Sequence, residues 1–243
     1  MNARCSEHMT TTQDILAILR QMSDDHRKEF AARTHPTSME IVGVTMPDIR
    51  ILLKELNAEF KTTMPSDVFQ LAMALIQMDV FECQLVGLEL MAHPKHRLLW
   101  MQADQALQLE VNMDNWVSTD TYSTKILGPL WDMDQLENEL FDRWAHDPSV
   151  WRRRLAVASC VGLFRNKIKA HHERNVQRTI DQCLTVLDDR SDMVVKAVSW
   201  ALRSAITGGG DAIRTFMEIH DSRLAPRVKR EVWNKLNTGL KSG

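Results

Sequence analysis

Apolar residues recur at steps of three and four along almost the whole chain, and nowhere do they hold the two-residue alternation of a strand. Ile15, Leu16, Ile18 and Leu19 share one side of a segment over 12–22. Ile49, Leu52, Leu53 and Leu56 do the same over 47–60, which opens with Pro47, a residue suited to a helix's first turn. Ser66 is a candidate N-cap for a helix reaching 78. A helix over 80–92 follows at once, so these two are expected to form an antiparallel hairpin, stopped at His93-Pro94. Further helices are expected over 97–109, 115–127, 134–145 and 149–163, the last after the start signal Asp147-Pro148. The series continues over 175–187, over 192–207 between Ser191 and the Gly208-Gly209-Gly210 run, over 211–219 and over 226–240.

The vocabulary agrees: Leu, Met, Ala, Gln, Glu, Lys and Arg dominate, with one tyrosine and nine glycines in 243 residues. About a dozen helices joined by short turns, with no heptad seam, predict paired repeats rather than a coiled coil or a four-helix bundle. One internal echo fits this. Trp151-Arg152-Arg153-Arg154-Leu155-Ala156-Val157 and Val195-Lys196-Ala197-Val198-Ser199-Trp200 both place a cation and small apolar residues early in a helix. The expected fold is all-α, a superhelical solenoid of antiparallel helix pairs in the HEAT-like style, with 1–243 as one domain and 1–11 as a flexible tail.

Several classes of function are disfavoured. Cys5, Cys83, Cys160 and Cys183 show no CxxC spacing, so neither a disulfide framework nor a zinc site is expected. His171-His172-Glu173 lacks the HExxH spacing of a metallohydrolase, and no metal or cofactor is expected. No apolar run approaches the roughly 20 residues of a membrane span. The opening MNARCSEHMTTTQD lacks the apolar stretch of a signal peptide, so the expectation is a cytoplasmic protein that does not engage a membrane. The overall net charge of −2 conceals a split. Residues 1–142 carry 11 Lys+Arg against 22 Asp+Glu, net −11, and residues 143–243 carry 19 against 10, net +9. Such asymmetry suits an anionic partner for the second half, or two faces that attract each other.

Three clusters could carry chemistry. Trp116 and Asp120 are four apart and share a helix face, although a core tryptophan beside a capping or exposed carboxylate would look the same. Arg152, Arg153 and Arg154 stand in a row at a helix start, where arginines and free amides suit a phosphate; a solvated basic turn is the alternative. Trp200 and Arg203 are three apart on another face.

Taken together these segments resemble the AlkD family of HEAT-like-repeat DNA alkylation repair glycosylases. The resemblance rests on Lys196-Ala197-Val198-Ser199-Trp200-Ala201-Leu202-Arg203 and on Leu224-Ala225-Pro226 followed by Lys229-Arg230-Glu231. Trp116 with Asp120 and Trp151 through Val157 fall in the right order, with a fainter match over Val42-Gly43-Val44-Thr45-Met46-Pro47 and Leu52-Leu53-Lys54. It implies Asp120 as the essential carboxylate, Trp116 and Trp200 as the two cleft tryptophans, and Arg154 and Arg203 as phosphate contacts. It implies a monofunctional glycosylase, expected to be a monomer, that removes cationic N3- or N7-alkylated purines from double-stranded DNA. Two departures stand against the family pattern: Arg33-Thr34-His35 where an aromatic is usual, and Asn115 in place of a tryptophan beside Trp116. The alternative is a non-catalytic HEAT-like module that binds DNA or scaffolds proteins.

Overall fold

The computed structural model describes residues 10–241, and these are helical almost throughout. The only strand-like pairing among them is an isolated bridge between Glu40 and Val80. The all-α repeat architecture expected from the periodicity is what the chain adopts. Its contacts divide it into two compact units, Met1–Trp100 and Met101–Gly243.

The first unit holds α1 (Thr12–Gln21), α2 (Asp25–Thr34), α3 (Met46–Glu59), α4 (Pro65–Ile76), α5 (Phe81–Ala92) and α6 (Lys95–Trp100). Every residue of α5 is buried, and α4 packs along it as the expected hairpin partner. Glu82 within α5 is buried because the backbone amides of Val42, Gly43 and Val44 all donate to its carboxylate. Ser66 is not the cap of α4: Met64 holds that position and Pro65 opens the first turn. Of the expected tail, 1–9 lie outside the described residues. Thr10 donates to Glu59 through both its amide and its hydroxyl, and Thr11 caps α1 in a reciprocal box with Asp14.

The second unit begins with α7 (Ala103–Gln108) and α8 (Trp116–Tyr122). A π turn over Ser123–Leu127 joins α8 to α9 (Gly128–Asp132), so the helix that carries Asp120 runs on past Pro129. After it come α10 (Asn138–Ala145), α11 (Val150–Gly162), α12 (His172–Thr185), α13 (Asp192–Ile219) and α14 (Pro226–Thr238). Within α13 the backbone leaves helical geometry at Gly209, inside the expected Gly208–Gly210 break. α11 packs against α10, α12, α13 and the π turn, and α13 packs against α11, α12 and α14. Each pair therefore buries its apolar face on its neighbours, as stacked helical repeats do.

Candidate active site

Asp120 is held by its own helix first. Asn115 caps α8, its Oδ1 accepting from the amide of Ser118 at 2.9 Å. The departure at Asn115 thus supplies a cap at the start of the helix that presents Trp116 and Asp120. Tyr122 is fully buried and donates its hydroxyl to the Ala106 carbonyl at 2.7 Å, tying α8 to α7. Thr124 donates to the Asp120 carbonyl at 2.7 Å where the chain widens into the π turn. Pro129 lacks the amide a regular turn would use here, and π turns of this kind recur at functional sites.

A glycine pair sets the distance to the next helix. A Cβ on Gly128 would stand 2.4 Å from both Gly162 Cα and the Ser159 carbonyl oxygen, and one on Gly162 would stand 2.7 Å from Gly128 Cα. No side chain fits between these backbones, so α9 and α11 touch directly. Gly128→Ala and Gly162→Ala should each cost about 2 kcal/mol in urea melts, overpacking outweighing the roughly 1 kcal/mol that alanine gains in a helix. Wild-type stability in both variants would show that the crossing is looser than this.

That close crossing brings Arg154 of α11 to Asp120. Its Nε donates to Oδ1 at 2.8 Å and its Nη2 to Oδ2 at 2.7 Å, while Nη1 donates to the Met193 carbonyl at the start of α13. One guanidinium therefore fixes three helices at a single point. The arginine side chain is 6% exposed and the carboxylate 16%, so the open side of the pair is the Asp120 side. Burial raises the Asp120 carboxyl above its ordinary pKa, opposed by the hydrogen bonds and charge of Arg154.

Trp116 stands one turn before Asp120 and Trp200 two turns after Met193; both are half-buried. Among the described residues the Trp200 ring has no aromatic or cationic partner and its indole N–H has no acceptor. Such a ring retains a face and a donor for a ligand. Arg203, one turn further along α13, is anchored: Nη2 lies 3.5 Å from Glu231 and Nε 3.4 Å from the Ser199 hydroxyl, which donates to Glu231 at 2.7 Å. Burial lowers the Arg203 pKa, with Glu231 opposing. Its Nη1 carries no protein hydrogen bond among the described residues. Glu231 lies in the Lys229-Arg230-Glu231 segment, and its place behind Arg203 could not be read from the sequence.

The three-arginine run resolves into four ion pairs: Arg152 with Glu110 and with Asp147, Arg153 with Asp189, Arg154 with Asp120. Further on, Asp132 is fully buried and accepts from Asn166, His171 and Asn175, while Arg174 also binds it. His171 is thus committed to a carboxylate. Burial pushes Asp132 upward in pKa, but those hydrogen bonds outweigh it and hold it below the usual value.

The whole arrangement lies within one matched region, since the model of the DNA alkylation repair enzyme family fits residues 15–236. The chain belongs to that family. Among solved structures it is similar to a predicted DNA alkylation repair enzyme from Enterococcus faecalis, at 18% identity and a TM-score of 0.69, over 89% of this chain and 98% of that one. It is also similar to AlkD2 from Streptococcus mutans, at 15% identity and a TM-score of 0.53, over 96% of this chain and 100% of that one. No curated protein matches the sequence significantly. At these identities the structural likeness speaks for the fold, and the family match speaks for alkylation repair. No described helix is long and apolar enough to cross a membrane.

Proposed function

We propose that this protein is a monofunctional DNA glycosylase that excises cationic N3- or N7-alkylated purines from duplex DNA. The observation that carries the reading is the Asp120 carboxylate, fixed by two charge-assisted hydrogen bonds, partly desolvated, and more open to solvent than its arginine. Alkylation at N3 or N7 leaves the purine positively charged, so the base departs without being protonated. What remains is to stabilise the positive charge that grows on the deoxyribose as the glycosidic bond lengthens. A pre-oriented carboxylate in a site of reduced dielectric does this, because no solvent has to reorganise around it.

Arg154 does not cancel that effect. A cation about 4 Å from the carboxylate and about 8 Å from the guanidinium keeps roughly half of the attraction, about 2 kcal/mol at an effective dielectric of 20. Asp120 also has spare lone pairs with which to orient the water that captures the sugar cation. Trp116 and Trp200 would present ring faces to the same charge, worth about 0.5–2 kcal/mol each. Arg203, through its unused Nη1, would hold a phosphate and fix register without reading bases. Arg154 has all three nitrogens engaged, so its main work is to position Asp120.

This mechanism has no acid for a neutral leaving group, which gives it a selective signature. Duplexes carrying N7-methylguanine or N3-methyladenine should lose the base, whereas a neutral lesion such as O6-methylguanine should remain. Comparable release of both classes would show that the enzyme activates the base, and would end the carboxylate-only reading.

A further inference from the structure

Internal pairing consumes much of the positive charge that follows residue 143. Glu110, Asp120, Asp132 and Asp134 take up Arg152, Arg154, Arg174 and Arg178, so these four cations are neutralised by acids of the preceding segment inside the second unit. Arg165, Lys167 and Lys169 are different. None of them forms an ion pair among the described residues, and Arg165 reaches only the Thr124 hydroxyl, at 3.5 Å.

These three cations fall within five residues between α11 and α12, and all line one open depression of about 460 Å³. Ser204 and Thr207 of α13 line it too. Those two follow Trp200 by one and two turns and so continue its face of the helix. On the other flank, Thr124 links Arg165 to the turn after Asp120 through its bond to the Asp120 carbonyl. The depression therefore adjoins the Asp120 site. Lys167 sits at φ 54°, a left-handed backbone that glycine or asparagine would hold more cheaply, so a cation stands at the tip of the turn against local preference.

We propose that this depression is a phosphate site. Arg165, Lys167 and Lys169, with the hydroxyl of Thr207, hold backbone phosphates of duplex DNA beside the lesion. Three unneutralised cations with the Thr207 hydroxyl in the same depression suit phosphodiester oxygens, while the Ser204 hydroxyl is spent on the Trp200 carbonyl; each phosphate held releases condensed counterions. This rests on the DNA reading above and moves the main electrostatic grip away from Arg154.

The test is binding of undamaged duplex DNA by the full chain across a salt series. The Arg165→Gln/Lys167→Gln/Lys169→Gln variant should bind at least about tenfold more weakly near 0.1 M salt, with a salt slope shallower by about 0.9 for each phosphate lost. Lys54→Gln/Lys61→Gln, which removes two exposed charges from the first unit, should leave the slope unchanged. Lys167→Arg/Lys169→Arg should retain wild-type binding, which separates charge from misfolding. Wild-type affinity and slope in the triple glutamine variant would overturn the proposal, as would equal losses in the control. If the triple variant loses binding while even wild type releases no base, the phosphate site stands and the glycosylase reading falls. Failure of wild type to bind duplex DNA would end both.

Discussion

Asp120→Asn should lower excision of N7-methylguanine by at least about tenfold, roughly 1.4 kcal/mol of barrier, while duplex affinity stays at the wild-type level. Asparagine keeps the size and one acceptor for Arg154 but removes the charge that the developing sugar cation would meet. Asparagine leaves Arg154, at 6% exposure the more buried partner, without its counter-ion, so stability should fall by about 2–3 kcal/mol and excision is compared where both proteins are folded. A pH signature accompanies this variant. The ionised carboxylate is the active form, and burial raises its pKa above 3.8, so wild-type excision should fall with acid at a higher pH than an ordinary aspartate would allow. Any residual activity of the asparagine variant should lack that acid limb. Full excision by a folded Asp120→Asn protein would remove Asp120 from the chemistry.

Arg154→Ala should be the most destabilising change at the site. It leaves Asp120 charged, partly buried and without its cation, and it unties the carbonyl of Met193 at the start of α13. Breaking a buried pair from one side costs about 3–5 kcal/mol, and the 16% exposure of the carboxylate puts the expected loss near about 3 at neutral pH. The sign with pH follows from Asp120. Without the guanidinium its pKa rises further, and a protonated carboxyl needs no cation, so the deficit should shrink as pH falls through that value. Arg154→Lys keeps charge but not the two-pronged geometry, and should recover stability better than excision. Urea melts at two pH values, set beside single-turnover excision, check both statements. A pH-independent loss would mean that Arg154 matters through packing alone.

The sequence made the fold legible wherever an apolar stripe existed. The α4–α5 hairpin, the break inside α13 at Gly208–Gly210 and the α14 start at Pro226 were all readable from steps of three and four and from Pro and Gly. Helix α2 was not, because none of its residues is buried, so it carries no apolar stripe. The 97–109 segment reads as one helix yet splits into α6 and α7 around Met101-Gln102, while the Asp120 helix outruns its expected end through a π turn. Periodicity reports which face is apolar and is blind to a single inserted residue in a turn.

At the site, spacing placed Trp116 with Asp120 and Trp200 with Arg203, since both pairs lie within one helix. What spacing could not give was the partner across helices. The Arg154–Asp120 pair depends on the Gly128–Gly162 crossing, and the Arg203–Glu231 contact on how α13 meets α14. Spacing could not apportion the charge split for the same reason: part of it closes on itself in ion pairs, as the reading of two attracting faces expects.

The measurement closest to the central claim is the product formed when the purified protein meets duplex DNA carrying N7-methylguanine. Chromatography of the supernatant should show intact N7-methylguanine as a free base. The strand should carry an abasic site that breaks only on later treatment with alkali, since no nucleophilic amine is assigned to the reaction. Tight binding of that duplex with no released base, or release of a methyl group with the guanine left in place, would contradict the account.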